Sequence, residues 1–461
     1  MKHPLWHLPV HCLSAFLLLA PGSGLLAHEG DDDHHHPVKV EPAEHYRPTA
    51  IPDRIILTWT GDPTTTQAVT WRTSVEVRQG LAELAVATAG PEFKKQAQSF
   101  KATSQALMTN INTAHFHTVE FRDLQPGTKY CYRVGDGVNW SEWFHFTTAK
   151  VEPEPFSFIY FGDAQNDVRE MWSRVIRESF TDAPKAKFFL HAGDLINSAE
   201  SDQEWGEWHG AGAFLNAMIP SIAVPGNHEM AKAENGSRRT SHHWRPQFAF
   251  PENGIPGLEE TNYTLTYQNV RIIALDSNQK VIEQAPWLEQ VLAENKHPWV
   301  ICTFHHPVFS TAKGRDNPIV RNAWKPIFDK YKVDLVLQGH DHTYGRTTLE
   351  TPLAEVVANV PTGVTNVDTQ TGTIYVVSVS GPKMYNLNPN EVMKRVAEDT
   401  QLYQVIHIDG DRLVYESRTA TGELYDAFEL IKRPGEINQL IDKAPMTPER
   451  LREPMNKTTA N

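Results

Sequence analysis

Five hydrophobic runs, FSFIYF, KFFLHA, SIAVP, WVICTF and VDLVLQ, each stop at a polar side chain able to hold a metal. The first ends in Gly162-Asp163-Ala164-Gln165, the second in Gly193-Asp194 and the third in Gly226-Asn227-His228-Glu229. The fourth ends in His305-His306-Pro307 and the fifth in Gly339-His340-Asp341-His342. Continuous apolar runs of this length read as fully buried strands. Between the first two, VREMWSRVIRESF places Val168, Met171, Trp172, Val175, Ile176 and Phe180 on one helix face. A further helix is expected over residues 202–218. Buried strands alternating with helices predict an α/β layered core, whose ligands gather at the carboxyl ends of the strands. YTLTYQNVRIIALD reads as a hairpin, APWLEQVLAEN as a helix and GTIYVVSVSG as a strand. The hairpin YQVIHIDGDRLVYESRT closes this domain near Lys432.

Any one of these polar residues has an ordinary explanation: an Asp after a strand caps a helix, an Asn turns the chain, a His packs in a core. Five in register are a constellation. Two carboxylates, an amide carbonyl and three imidazoles suit iron, manganese or zinc, and suit calcium poorly because calcium wants oxygen alone. Two cations about 3.5–4 Å apart repel unless a carboxylate bridges them, and Asp194 is placed to do so. No G-x-S-x-G elbow and no GxxxxGK[ST] loop occurs, so neither a serine nucleophile nor a P-loop is expected.

Upstream, residues 52–149 carry short alternating runs, RIILTWTG, AVTWRTS, HFHTVEFRDL, KYCYRVGD and EWFHFTT, punctuated by Gly, Pro and Asp. This spacing predicts a small antiparallel sandwich with Trp71 in its core and a packing or spacing role. The first 27 residues combine a weakly basic start, an apolar run and small residues before Ala27, which reads as a cleaved secretory signal too short to span a bilayer. Residues 28–51 open with the acidic and His-rich tract HEGDDDHHH and continue as a Pro-containing linker. Residues 433–461 form a polar tail with a short helical pattern in EINQLIDK. Cys131 and Cys302, each inside a strand-like run, are expected as buried thiols rather than a disulfide framework. A net charge of -13 without clustered Lys and Arg argues against general nucleic-acid binding, while a small anionic partner stays open.

The motifs GDAQ, GDLIN, GNHE, FHHP and GHDH together resemble the ordered series of calcineurin-like metallophosphoesterases. The preceding PDRIILTWTGDPTTTQAVTWRTS and YCYRVGDG are similar to the fibronectin-type domain of purple acid phosphatases. The resemblance covers roughly Pro52 to Lys432. It implies a multidomain chain: an all-β fibronectin type III-like sandwich over residues 52–149, then an α-β-β-α layered catalytic domain over 150–432. It also implies that Asp163 and His342 hold a first metal, that Asn227, His305 and His340 hold a second, and that Asp194 bridges them. His228 matches the family's catalytic histidine, Glu229 is expected to orient its imidazole, and His306 to line the substrate pocket. The chain departs from the family at two positions. Asn197 stands where purple acid phosphatases carry a metal-binding Tyr, and Gln165 where other metallophosphoesterases carry a His. Either amide oxygen, or water, completes the first metal, and a colourless, less ferric site is expected.

The implied function is an exported, secreted or periplasmic, dinuclear phosphoesterase. It would be acid-phosphatase-like and use in-line attack of hydroxide on a small-molecule phosphate monoester. A phosphodiesterase on the same core and a non-catalytic secreted binding protein are the rival readings. His242 and His243 read as loop or packing residues, Lys313 and Arg315 as solvated cations able to attract an anion, and Arg346 as structural. The sequence leaves the oligomeric state open.

Overall fold

The apolar runs become strands of two sheets in the computed structural model, which describes residues 38–352, 367–368, 371–388, 392–433 and 435–452. In the first sheet Ser221–Ala223, Phe189–His191 and Phe156–Phe161 lie side by side and parallel. Leu402–Asp409, Arg412–Thr419, Leu424–Ile431 and Gln439–Asp442 continue it antiparallel. The second sheet runs Tyr263–Tyr267, Val270–Ala274, Trp299–Thr303, Leu335–Gln338, Ile374–Val377, Tyr344–Thr347, Met393–Ala397. Its four central neighbours are parallel, so Trp299–Thr303 and Leu335–Gln338 end on the same edge.

Alternation along each strand gives these sheets two apolar faces. Ile272, Ile301, Leu337 and Val376 share a core with Phe158, Ile406, Tyr415 and Phe428 of the first sheet. On the other face Ile273, Cys302, Val336 and Tyr375 pack with Leu288, Trp324 and Phe328 of helices Ala285–Ala293 and Pro318–Tyr331. Helices Ser173–Asp182 and Asp202–Gly212, with the π-helical turn Val168–Trp172 ahead of the first, cover the first sheet through Trp172, Val175, Ile176, Trp205 and Trp208. The layers therefore run helix, sheet, sheet, helix, as the resemblance implies.

Two expected elements differ. The helix expected over 202–218 stops at Gly212, because two glycines weaken its last turn and Ala213 takes a left-handed φ of 41° before a short 3₁₀ turn. EINQLIDK is no helix: Gln439–Asp442 adds an edge strand to Leu424–Ile431. The expected signal segment, the HEGDDDHHH tract and the last nine residues of the tail lie outside the described residues.

The upstream strands form two four-stranded sheets around Leu57, Val69, Trp71, Phe121 and Tyr132. Cys131 and Cys302 are free and buried, and burial pushes both thiols up. The sandwich is fastened to the layered domain rather than strung before it. Arg54 and Arg72 both reach the buried Asp202 carboxylate, at 2.7 and 3.3 Å, and the Tyr132 hydroxyl donates to the Ala217 carbonyl at 2.6 Å. Glu41–Asn461 accordingly form one compact unit.

Candidate metal centre

Each of the five strand ends delivers its polar residue to the same edge. Asp163 follows Phe156–Phe161 and forms a lone parallel bridge with Val379, which ties the two sheets together beneath the site. Asp194 follows Phe189–His191 through Gly193, whose φ of 87° reverses the chain. Asn227 opens the turn Asn227–Glu229, and a Cβ on the preceding Gly226 would stand 2.0 Å from an Asp194 carboxylate oxygen. His305 and His340 follow the adjacent strands Trp299–Thr303 and Leu335–Gln338.

Two donor groups result, Asp194 with His305 and His340, and Asp163 with Asp194 and His342. In each, the donor atoms lie within 4.8 Å of one another, and Asp194 belongs to both. His305 Nδ1 donates to the Ala192 carbonyl at 2.9 Å, which leaves Nε2 with a lone pair. That lone pair faces Asp194 Oδ2 at 3.1 Å, His340 Nδ1 at 3.1 Å and Asn227 Oδ1 at 3.2 Å. The second group repeats the pattern. His342 Nδ1 donates to the Lys383 carbonyl at 2.9 Å, so its Nε2 faces Asp163 Oδ2 across 3.2 Å. Buried acceptors opposed at these distances need a proton or a metal ion between them.

The electrostatics say the same. Burial pushes Asp163 up to about 8, relieved in part by His305 and worsened by the Asp194 charge. Asp194 is held down to about 2 against the same burial by His305 and by the backbone N–H of His228. His305 is pushed up to about 9 because Asp194 and Asp163 outweigh its desolvation. Burial and His305 together push His306 down to about 3, burial pushes His342 down to about 3, and His340 falls well below its ordinary value for the same reasons as His306. Among the described residues no Lys or Arg reaches Asp163 or Asp194, so a proton taken up at His305 Nε2 balances the buried carboxylates until an ion takes its place. The site is built for added positive charge.

The two departures from the family resolve differently. Gln165 is fully buried; its Nε2 lies 3.1 Å from Asp194 Oδ2 and 2.8 Å from His342 Nε2, and its Oε1 has no hydrogen-bond partner. The Asn197 side chain turns away, accepting from Asn166 Nδ2 at 3.2 Å and contacting Ser198 Oγ at 3.4 Å. Its expected place as a metal donor is thus corrected. The Asn197 backbone carbonyl instead meets His228 Nδ1 at 2.5 Å.

Glu229 is corrected as well. Its carboxylate does not touch the His228 ring. It accepts the backbone N–H groups of Asp194 at 2.9 Å, Leu195 at 2.8 Å, Ile196 at 3.3 Å and Gly226 at 2.6 Å. Glu204 accepts the next two, from Asn197 at 2.6 Å and Ser198 at 2.8 Å. Every backbone N–H from Asp194 to Ser198 therefore points at one of two glutamates, and the carbonyl of Asn197 is left facing the imidazole.

His306 packs over His340 with ring centroids 4.3 Å apart, its Nδ1 2.8 Å from Ser277 Oγ. Arg315 donates to the His340 carbonyl at 2.9 Å and lies over Tyr385, whose ring is 4.5 Å from that of His342. Asp341 takes its charge inward, accepting from Ser310 Oγ and the Thr311 N–H to fasten the loop after His305. His243 is buried between Glu200 and Asp202 and stacks on Trp205, His242 and Lys313 are exposed, and the Arg346–Asp426 pair is buried. Sequence reasoning passed over Glu204, Asp341, Ser277 and Tyr385. Asp341 was legible inside GHDH; the other three carry no local signal.

Residues 52–148 match the N-terminal domain of purple acid phosphatases and residues 156–344 match the calcineurin-like phosphoesterases. Acid phosphatase type 7 of Mus musculus is 26% identical over 339 residues, 67% of this chain and 73% of its own. Probable inactive purple acid phosphatase 1 of Arabidopsis thaliana is 24% identical over 377 residues, 72% of this chain but only 60% of its own length. A purple acid phosphatase from yellow lupin (Lupinus luteus) seeds superposes with a TM-score of 0.66 at 20% identity, over 82% of this chain and 74% of that one. With both domains matched in this order and five strand-end motifs converging on one edge, the chain carries a domain of the purple acid phosphatase N-terminal kind followed by a domain of the calcineurin-like phosphoesterase kind.

Proposed function

We propose that this chain is an exported, dinuclear metal-dependent phosphomonoesterase acting on small phosphate esters. The observation that carries the proposal is the sharing of Asp194 between two buried donor groups, with His228 held beside them. Asp163, Gln165 and His342 would hold one ion, Asn227, His305 and His340 the other, and Asp194 both. The donors fit iron, manganese or zinc, and the opposed acceptors of Asp163, Asp194, His305 and His342 are the features such ions satisfy; Gln165 joins them once its amide turns to bring the unpartnered Oε1, in place of Nε2, to the group. Bound there, the ions supply Lewis acidity to an attacking water and to the phosphoryl oxygens.

The protein's own groups supply the rest. Asp194 fixes the backbone of His228, accepting its N–H at 2.9 Å. His228 holds Nδ1–H on the Asn197 carbonyl and presents Nε2 to the leaving oxygen. As the P–O ester bond breaks, the Nε2 proton passes to the departing alkoxide, a water oxygen ends on phosphorus, and that water's proton restores the imidazolium. His306 lines the same edge, and Arg315 adds positive charge beside His340 to draw in a dianion. Export rests on the signal-like N-terminus, together with the finding that no helix among the described residues is long and apolar enough to cross a membrane.

Elemental analysis of the purified protein, its visible spectrum and turnover of a mono- and diester panel on one sample test the proposal. Two ions per chain, no visible charge-transfer band and faster turnover of monoesters are expected. Metal-replete protein that hydrolyses neither ester class overturns the enzyme reading, and faster diester turnover replaces the monoester assignment.

A further inference from the structure

We infer that Glu204 is a positioning residue for proton donation, acting through the backbone of Asn197 on His228. The inference rests on the reading of His228 as the proton donor to the leaving group. Glu204 lies in the first turn of helix Asp202–Gly212, where Ser201 Oγ accepts its own N–H at 3.3 Å and anchors the turn. One oxygen of its carboxylate, Oε2, takes the N–H groups of Asn197 and Ser198 together, at 2.6 and 2.8 Å. Those two bonds fix the peptide planes on either side of Asn197. The carbonyl they leave exposed is the one that meets His228 Nδ1 at 2.5 Å. Asn166 holds the same residue from the other side through its amide, 3.2 Å from Asn197 Oδ1.

The arrangement substitutes for two devices that are absent here. Among the described residues no carboxylate is hydrogen-bonded to the His228 ring, because Glu229 accepts from the 194–196 and 226 backbone. The position of Asn197 carries no metal donor, so this turn is free to serve the imidazole. A peptide carbonyl is a directional acceptor that holds Nδ1–H in every protonation state, so the proton gained and lost is the one on Nε2, aimed outward. Its direction is only as fixed as the peptide plane, and Glu204 fixes that plane. A misplacement of about 1 Å costs up to roughly 100-fold in rate.

The test compares two phosphate monoesters on the metal-loaded full chain. Phenyl phosphate has a basic leaving group that needs a proton, whereas 2,4-dinitrophenyl phosphate leaves without one. For Glu204→Met, which keeps the side-chain length and removes the acceptors, the ratio of kcat on phenyl to kcat on dinitrophenyl phosphate should fall roughly 10- to 100-fold. Glu204→Gln retains an acceptor oxygen and should recover most of that ratio. Should the Met variant not fold, Glu204→Asp, which retracts the carboxylate by one methylene, carries the same comparison. An equal loss on both esters, or an unchanged ratio, overturns the inference and leaves the hydrolase reading standing. Failure of the wild-type protein to turn over either ester overturns both.

Discussion

Asp194 stands at a φ of 51°, a left-handed conformation that costs a residue with a Cβ about 1 kcal/mol or more. His340 and His342 share it, at 76° and 47°. Three donors held in an unfavourable backbone state mark where stability yields to the aim of a side chain. Asp194→Asn separates the two demands, because Asn tolerates the left-handed region and can still accept the His228 N–H, but brings no negative charge. The variant should fold with a near-native melting temperature. Its metal affinity should fall by more than the roughly 10- to 100-fold typical of losing a partner that only supports a ligand. Metal content after dialysis, read beside kcat, checks this; two retained ions with unaltered turnover would falsify the bridging role. At this scale the sequence showed which side chains gather but not which amide turns inward. Gln165 and Asn197 are both amides within three residues of an aspartate; their side chains part because the 194–198 turn is pinned by Glu229 and Glu204, and one of those pins lies on a helix the motif never touches.

The strand Phe189–His191 carries a different tension. His191 is buried among Phe161, Trp172 and Trp208, and neither ring nitrogen has a hydrogen-bond partner. Burial alone pushes its imidazole down to about 3. The unfolded chain takes up this proton below about pH 6.5, while the folded chain refuses it until near pH 3. The unfolded state therefore binds more protons across that window, and stability falls as pH falls through it, by at most about 1.4 kcal/mol per unit. His191→Phe suits the aromatic surroundings and removes the titration. The variant should melt higher than the wild type at pH 7, and the gap should widen at pH 5. A gap that narrows on acidification overturns the account. The strand itself was legible as an apolar run ending in HAGD. The cost of its histidine was not, because alternation says which face a residue takes and nothing of what waits there.

Across the whole molecule the sandwich is fastened at Asp202. Arg54 and Arg72 converge on it from the sandwich and His243 from the loop beyond; these partners hold its carboxyl well below the usual range although burial would raise it. Removing one member of a buried charge cluster leaves the others desolvated and unpaired, at a cost of about 3–5 kcal/mol. Asp202→Ala should show that loss in urea unfolding, with a single transition if the sandwich and catalytic layers unfold together. An unchanged midpoint argues that the contact contributes nothing. From sequence the segment read as a packing or spacing module, because Arg54 and Arg72 are each separated from Asp202 by more than a hundred residues and no local pattern pairs them with it.

The amino-acid sequence by itself determined the layered class and the edge on which Asp163, Asp194, His305, His340 and His342 gather. Apolar runs can be satisfied only as buried strands, and a polar residue at the end of such a run can sit only at the sheet's edge. The tertiary structure alone decided how that edge is wired. Gln165 faces the first donor group, Asn197 offers its carbonyl rather than its amide, Glu229 serves the backbone, and Glu204 steadies the turn. Backbone hydrogen bonding and burial settle those choices between residues far apart in the chain, so no local pattern encodes them.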